Sequence, residues 1–175
     1  RGSQMTTIDQ GPHVGRVWPA EARTYTDPDS GTTVRQLTDH RTHSHHFYFT
    51  NSGWYDGDRK LLFSSDRENR TNLYGLHLES GQIAQLTDLE PVPLPRELEF
   101  MRASKNPRRE EAYFWHDLKL IALDLNTRAT RMLFELDPGW CISMTNCTAD
   151  GKSVVFGSWQ DLSDHIHTDL LRGYV

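Results

Sequence analysis

The sequence is poor in features that mark whole classes of protein. Cysteine occurs only at Cys141 and Cys147 in 175 residues, too little for a disulfide-stapled fold. Alternation along one continuous strand would put these two on the same face, roughly 20 Å apart. No bridge between them is therefore expected, and a reducing, cytoplasmic setting is. No apolar run reaches the ~18 residues of a membrane-crossing helix. Positive charge is not in excess, with a formal net charge of -5, so the basic stripe that binds phosphates is missing and nucleic acid is not an expected partner. A membrane is not one either. From Met5 onward there is neither a basic start nor an apolar core, so no secretory signal is expected, and residues 1–4, "RGSQ", look like the remnant of an expression tag. Helical periodicity is poor throughout. There is no Gly-rich phosphate loop, no nucleophile elbow and no paired-cysteine zinc motif.

What is present is a repeat. "VRQLTD" (Val34 to Asp39), "IAQLTD" (Ile83 to Asp88) and "TRMLFE" (Thr130 to Glu135) align on Leu37, Leu86 and Leu133, at spacings of 49 and 47 residues. Between the markers each unit carries the same succession of short runs. The first reads "KLLFSSD", "RENRT", "NLYGLHL", "ESG" and "QIAQLTD"; the second reads "EAYFWHD", "KLIALDL", "NTRA" and "TRMLFEL"; a third begins at "DGKSVVFGSW". Short β-rich runs separated by Asp, Gly, Asn and Ser read as antiparallel strands in a meander. Four strands at this period predict an all-β fold, a β-propeller with about three four-stranded blades in this chain. A β-sandwich of similar hairpins is the alternative. Residues 5–36 are expected to form an N-terminal segment with a ring-closing strand in "TYTDPDSGTTV", and residues 37–175 the partial propeller. Propellers close with at least about four blades, so further blades or an oligomer are expected to complete the ring.

The phrase "GDRKLLFSSDRENRTNLYGLHLESGQIAQLTD" resembles the repeat of TolB-type and WD40-like propellers. More narrowly, "YTDPDSGTTVRQLT", "HSHHFYF", "DGDRKLLFSSD" and "DPGWCISMTNCTADGKSVVFGS" together resemble the N-terminal part of oligogalacturonate lyases, polysaccharide lyase family 22, with His45 and Tyr48-Phe49 at the positions of that family's His and Tyr-Phe pair. The resemblance implies a seven-bladed propeller that cleaves short pectin-derived galacturonides by β-elimination with a divalent metal, usually manganese. It also implies that the metal ligands and the His base lie in later blades, outside this chain. The TolB resemblance implies instead a non-catalytic propeller that binds protein or carbohydrate.

Elimination from a uronate removes the proton α to the carboxylate, so cations must stabilise the charge that develops there. Recognition of a uronate calls for cationic and amide side chains together with aromatic rings. In a four-stranded blade, the loop leading into the inner strand and the loop joining the second and third strands lie on one face. That face is expected to collect His43, His45, Arg67 and Arg70, together with His116 and Asp117 and the excursion holding His165 and His167. His43, His45, Tyr48, Arg67 and Arg70 are the candidate substrate-binding residues. Each has a plainer reading: His43 and His45 as polar anchors of the strand or as a metal-ligand pair, Arg67 and Arg70 as a solvated turn, and His165 and His167 as surface loop. Trp54, Tyr55, Phe114, Trp115, Trp140 and Trp159 are expected in blade packing, and "ASKNPRREE" is expected to be a solvated turn.

Overall fold

Runs such as "LLFSS", "AYFWH" and "LIALD" carry apolar residues at both parities, which a strand tolerates only when both of its faces are covered. The computed structural model describes residues 7–92 and 101–160. Among them are fourteen short strands: β1 (Val17–Trp18), β2 (Arg23–Thr26), β3 (Thr33–Gln36), β4 (Ser44–His45), β5 (Trp54–Tyr55), β6 (Lys60–Ser65), β7 (Asn72–His77), β8 (Ile83–Gln85), β9 (Ser104–Lys105), β10 (Glu111–His116), β11 (Lys119–Asp124), β12 (Thr130–Glu135), β13 (Trp140–Cys147) and β14 (Val154–Gln160). The first sheet has the order β1-β8-β7-β6-β4, with β5 also on β6; the second is β12-β11-β10-β9; β13 pairs with β14, and β2 pairs with β3. The paired strands are antiparallel.

The second sheet shows why the runs are so apolar. Ala112, Phe114, Ile121 and Leu123 join a cluster with Leu62, Leu73 and Leu86 of the first sheet. Their neighbours of opposite parity, Tyr113, Trp115, Leu120 and Ala122, join a second cluster with Ile142 of β13. The sheets therefore stack face to face as blades, with the second buried on both sides. On the outer side of the first sheet, Phe63, Tyr74, Leu76 and Ile83 are covered by Trp18 and Leu37.

The recurrent "QLTD" has a local cause. In both copies the Gln folds over the next turn: Gln36 Nε2 donates to the Thr38 carbonyl at 2.8 Å and Gln85 Nε2 to the Thr87 carbonyl at 2.9 Å. In the second copy Thr87 Oγ1 also donates to Asn72 Oδ1 at 2.8 Å and accepts from the Leu73 amide. The "NLY" and "QLTD" phrases are thus two halves of one buried hydrogen-bonded corner. "TRMLFE" lacks the Gln, and Leu133 is 39% exposed.

Two features depart from a plain four-stranded blade. Residues 8–18 strap the first two blades together. Gly11 N–H bonds the Asp88 carbonyl at 2.8 Å, Gln10 Nε2 the Arg128 carbonyl at 3.2 Å and Thr130 Oγ1 the Ile8 carbonyl at 3.1 Å, while β1 pairs with β8 as an extra outer strand. The inner strand of the first blade is also interrupted. His45 and Trp54 are nine apart in sequence, whereas their partners Ser64 and Leu61 are three apart on β6. The chain between leaves the sheet as an excursion carrying Phe47, Tyr48 and Phe49.

A bulge corrects the expected placement of the cysteines. The β13–β14 register shifts between Ile142 and Thr145, so Cys141 faces Trp159 and Cys147 faces Val154. Those partners are five apart on β14, which puts the two cysteines on opposite faces. Both are free thiols. "ASKNPRREE" is also more than a solvated turn, because Asn106 is fully buried within it. Its Nδ2 donates to Tyr113 Oη at 2.7 Å and to the Gly151 carbonyl at 2.9 Å, and its Oδ1 accepts from the Arg108 and Arg109 amides. Of the aromatics expected in packing, Tyr55, Phe114 and Trp115 are buried and Trp140 partly so, while Trp54 and Trp159 are largely exposed.

Candidate functional site at the mouth of the first blade

Antiparallel pairing of β4 with the end of β6, Ser44 against Ser65 and His45 against Ser64, places His43 beside the residue that follows β6, Asp66. The His43 amide donates to Asp66 Oδ1 at 2.7 Å, and His43 Nδ1 lies 2.9 Å from Asp66 Oδ2. Burial works to raise the Asp66 pKa, but the side-chain and backbone hydrogen bonds from His43 outweigh it and hold the carboxyl below its usual range. An ionised carboxylate only accepts, so Nδ1 carries the proton, and in neutral His43 the lone pair is on Nε2. The His45 ring stacks on that of His43, with centroids 5.7 Å apart and planes at 20°. Ser65 Oγ donates to the His43 carbonyl at 2.6 Å, fixing the backbone of the strand at this point.

Three residues beyond His45, Tyr48 and Phe49 form an aromatic pair with centroids 4.4 Å apart, 45% and 84% exposed. The excursion that carries them is anchored on both sides. Phe47 is buried in the cluster between the first two blades. Asn51 Nδ2 reaches the Ala103 carbonyl at 3.4 Å and the Thr145 carbonyl at 3.3 Å, at the inner strands of the second and third sheets. Two large apolar rings held in water by an anchored loop form a platform for flat, partly apolar ligands.

The two arginines take different places. Arg67 is in neither a solvated turn nor the mouth; its side chain is 0% exposed. Its guanidinium holds Glu21 at 2.5 and 3.1 Å and lies 5.3, 5.9 and 5.5 Å from the ring centroids of Trp18, Phe63 and Tyr74. Arg70 is half-exposed but engaged by Glu90 at 3.0 Å, with Asp88 at 3.9 Å. The structure thus brings His43 and His45 together and takes Arg67 out of the surface. His116 ends β10 at the matching β10–β11 turn, where burial pushes its pKa down, Asp117 partly offsetting this and Lys119 adding to it. His165 and His167 lie outside the described residues.

Sequence reasoning missed Asp66 and Phe49. The antiparallel register that sets Asp66 against His43 pointed to the first, since "SSD" closes the strand that pairs with "THSHH". Nothing in an alternating "HFYF" signals that the strand breaks and turns Phe49 outward.

An oligogalacturonate lyase from Vibrio parahaemolyticus matches this structure with a TM-score of 0.73 at 24% identity, over 86% of this chain and 40% of that one. An oligogalacturonate lyase in complex with manganese matches at 0.68 and 23% identity, over 78% of this chain and 35% of that one. TolB from Acinetobacter baumannii matches at 0.52 and 18%, over 88% and 38%. The chain has the fold of part of a lyase- and TolB-like β-propeller. It spans less than half the length of these propellers. The sequence matches no protein-family model and no curated protein.

The mouth of this propeller segment does not fit a manganese site. Among the described residues no group of three or more His, Cys, Asp or Glu is placed to hold a metal ion. His43 and His45 meet as stacked rings, and Asp66 already engages His43 Nδ1. With Nδ1–H engaged by Asp66, the neutral His43 ring offers an acceptor at Nε2 and the protonated ring a donor there.

Proposed function

We propose that this segment supplies substrate-binding surface to an oligogalacturonate lyase-like propeller that cleaves short pectin-derived galacturonides by β-elimination in the cytoplasm. The observation that carries this reading is the mouth itself, where His43, His45, Tyr48 and Phe49 lie within seven residues of sequence and Asp66, at the end of the paired strand, holds His43. The His45 imidazole, and His43 through Nε2–H in its protonated form, bind the uronate carboxylate, and the exposed rings take the apolar face of the sugar. The greater likeness to the lyases than to TolB supports the same choice, as do the two free thiols for the compartment. The divalent metal, manganese in one of the similar lyases, and the proton-abstracting base belong in this reading to blades beyond the described residues.

Digalacturonate titrated into the chain should shift the imidazole signals of His43 and His45 and quench Tyr48 contacts, without turnover. With the remaining blades and manganese, the unsaturated uronate product should appear in the ultraviolet. Absence of binding by the chain would remove the substrate mouth, and turnover by the chain alone would show that the chemistry is misplaced. The alternative, a non-catalytic TolB-type binding propeller, is supported by the TolB likeness and requires that no unsaturated product form with any set of blades.

A further inference from the structure

At the opposite end of β6 from the histidine mouth, roughly 17 Å away at about 3.3 Å per residue, a cavity of about 470 Å³ opens between the first and second blades. It is bounded by the β5–β6, β7–β8 and β11–β12 turns and by Val17 of β1. Apolar walls come from Val17, Ala84, Leu86 and Leu125, and polar groups from Tyr55, Lys60, His77, Gln82, Asn126 and Arg128.

Two residues give this cavity the character of a built site. Tyr55 is 4% exposed, and its hydroxyl has no hydrogen-bond partner among the described residues although it faces the cavity. Burial pushes its pKa well up, so the hydroxyl remains a protonated donor. A hydroxyl donor open to a cavity can bond a ligand acceptor placed there. Arg128 is the second. The β7–β8 and β11–β12 turns are built alike: Gly81 N–H bonds the His77 carbonyl at 2.8 Å, and Arg128 N–H bonds the Asp124 carbonyl at 2.8 Å. The first turn has glycine at φ 73, and the second has arginine at φ 64. A long side chain in the left-handed region is strained where the sister turn avoids it. No carboxylate lies within ion-pair distance of Arg128 among the described residues, whereas Lys60 is matched by Asp56 at 3.0 Å.

We infer that this interblade cavity is a binding site for a small organic carboxylate, whose charged end meets Arg128 and the Tyr55 hydroxyl and whose apolar body lies against Val17, Leu86 and Leu125. Asn126 and Gln82 add neutral hydrogen bonds at the rim. The site shares no residue with the histidine mouth, so its test is independent of the lyase reading.

The test is an amide NMR titration of the full chain with benzoate, with benzyl alcohol and inorganic phosphate as comparison probes. Benzoate should give saturable shifts at Gly75, Leu125 and Arg128, and neither the uncharged ring nor the bare anion should match it. Arg128→Gly restores the residue type of the sister turn, so it should leave the urea midpoint unchanged or raised while weakening benzoate roughly tenfold or more. Tyr55→Phe should weaken it severalfold with the ring retained. The inference is overturned if benzoate gives no saturable shifts at these amides, if its affinity survives Arg128→Gly, or if phosphate or benzyl alcohol binds as tightly.

Discussion

Replacing Glu21 by leucine should be among the most damaging single changes in this protein, although neither the residue nor its partner stands in an apolar run. Glu21 is the only carboxylate bonded to Arg67 among the described residues; that guanidinium is 0% exposed, and its Nε has no hydrogen-bond partner. Without Glu21 a buried cation is left with only the faces of Trp18, Phe63 and Tyr74. Breaking a buried pair in this way costs about 3–5 kcal/mol, of which the rings return ~1–2. Arg67→Met should cost less, because Glu21 Oε2 keeps the Asp39 and His40 amides at 2.9 and 3.1 Å and its side chain, 14% exposed, retains some contact with water. The double variant should be no worse than Glu21→Leu alone, since two apolar residues then fill the space of the pair. At a urea dependence of about 2 kcal/mol per molar, the remaining cost of about 1–4 kcal/mol lowers the unfolding midpoint of Glu21→Leu by ~0.5–2 M. Burial works to raise the Glu21 pKa, but the hydrogen bond to Arg67, with others, holds it below the usual value. Its stabilising contribution is therefore complete above the unfolded carboxylate pKa of about 4.3 and lost as pH falls through the lower folded value. The double variant should lack that acid-limb loss. A Glu21→Leu cost under ~1 kcal/mol, or a double variant as costly as both singles together, would refute the reasoning.

Gly11→Ala should loosen the N-terminal strap, because a Cβ there would lie 2.2 Å from Asp88 Oδ2; a cost of about 1–3 kcal/mol and faster amide exchange at Gly15 and Gln85 would be measured. Asn106→Ala removes four hydrogen bonds inside a fully buried turn, and a loss of about 1–3 kcal/mol is expected in urea unfolding. His43→Ala should raise the Asp66 pKa, since burial remains and the His43 imidazole contribution is lost; carboxyl carbon NMR against pH reads it directly, and an unchanged value would break the pair as described.

Much of the fold was legible because it is periodic. Both-parity apolar runs and the "QLTD" spacing announce stacked antiparallel sheets, and the Gln36 and Gln85 bonds show that the repeated phrase has a repeated physical task. The strap formed by residues 8–18 was not legible, because its anchors are the Gly11 and Gly15 backbone amides and the Gln10 side chain meeting the Asp88, Gln85 and Arg128 carbonyls, partners that lie 70 or more residues away in sequence. The bulge in β13 escaped as well, since "CISMTNC" carries no Gly or Pro to mark it. In the candidate site, the His43–His45 pairing followed from alternation, whereas Arg67 read as a surface turn residue and proved to be buried.

The sequence by itself determined the strand grammar, the blade period and the histidine-rich start of the first inner strand, all of which depend on neighbours within a few residues. Only the tertiary structure decided which charges face solvent. Arg67 and Arg70 stand three apart in one turn, yet the N-terminal segment brings Glu21 and Trp18 over the first, while the second is left to Glu90 at the surface. Burial depends on what the rest of the chain lays over a residue, and short-range pattern does not encode that.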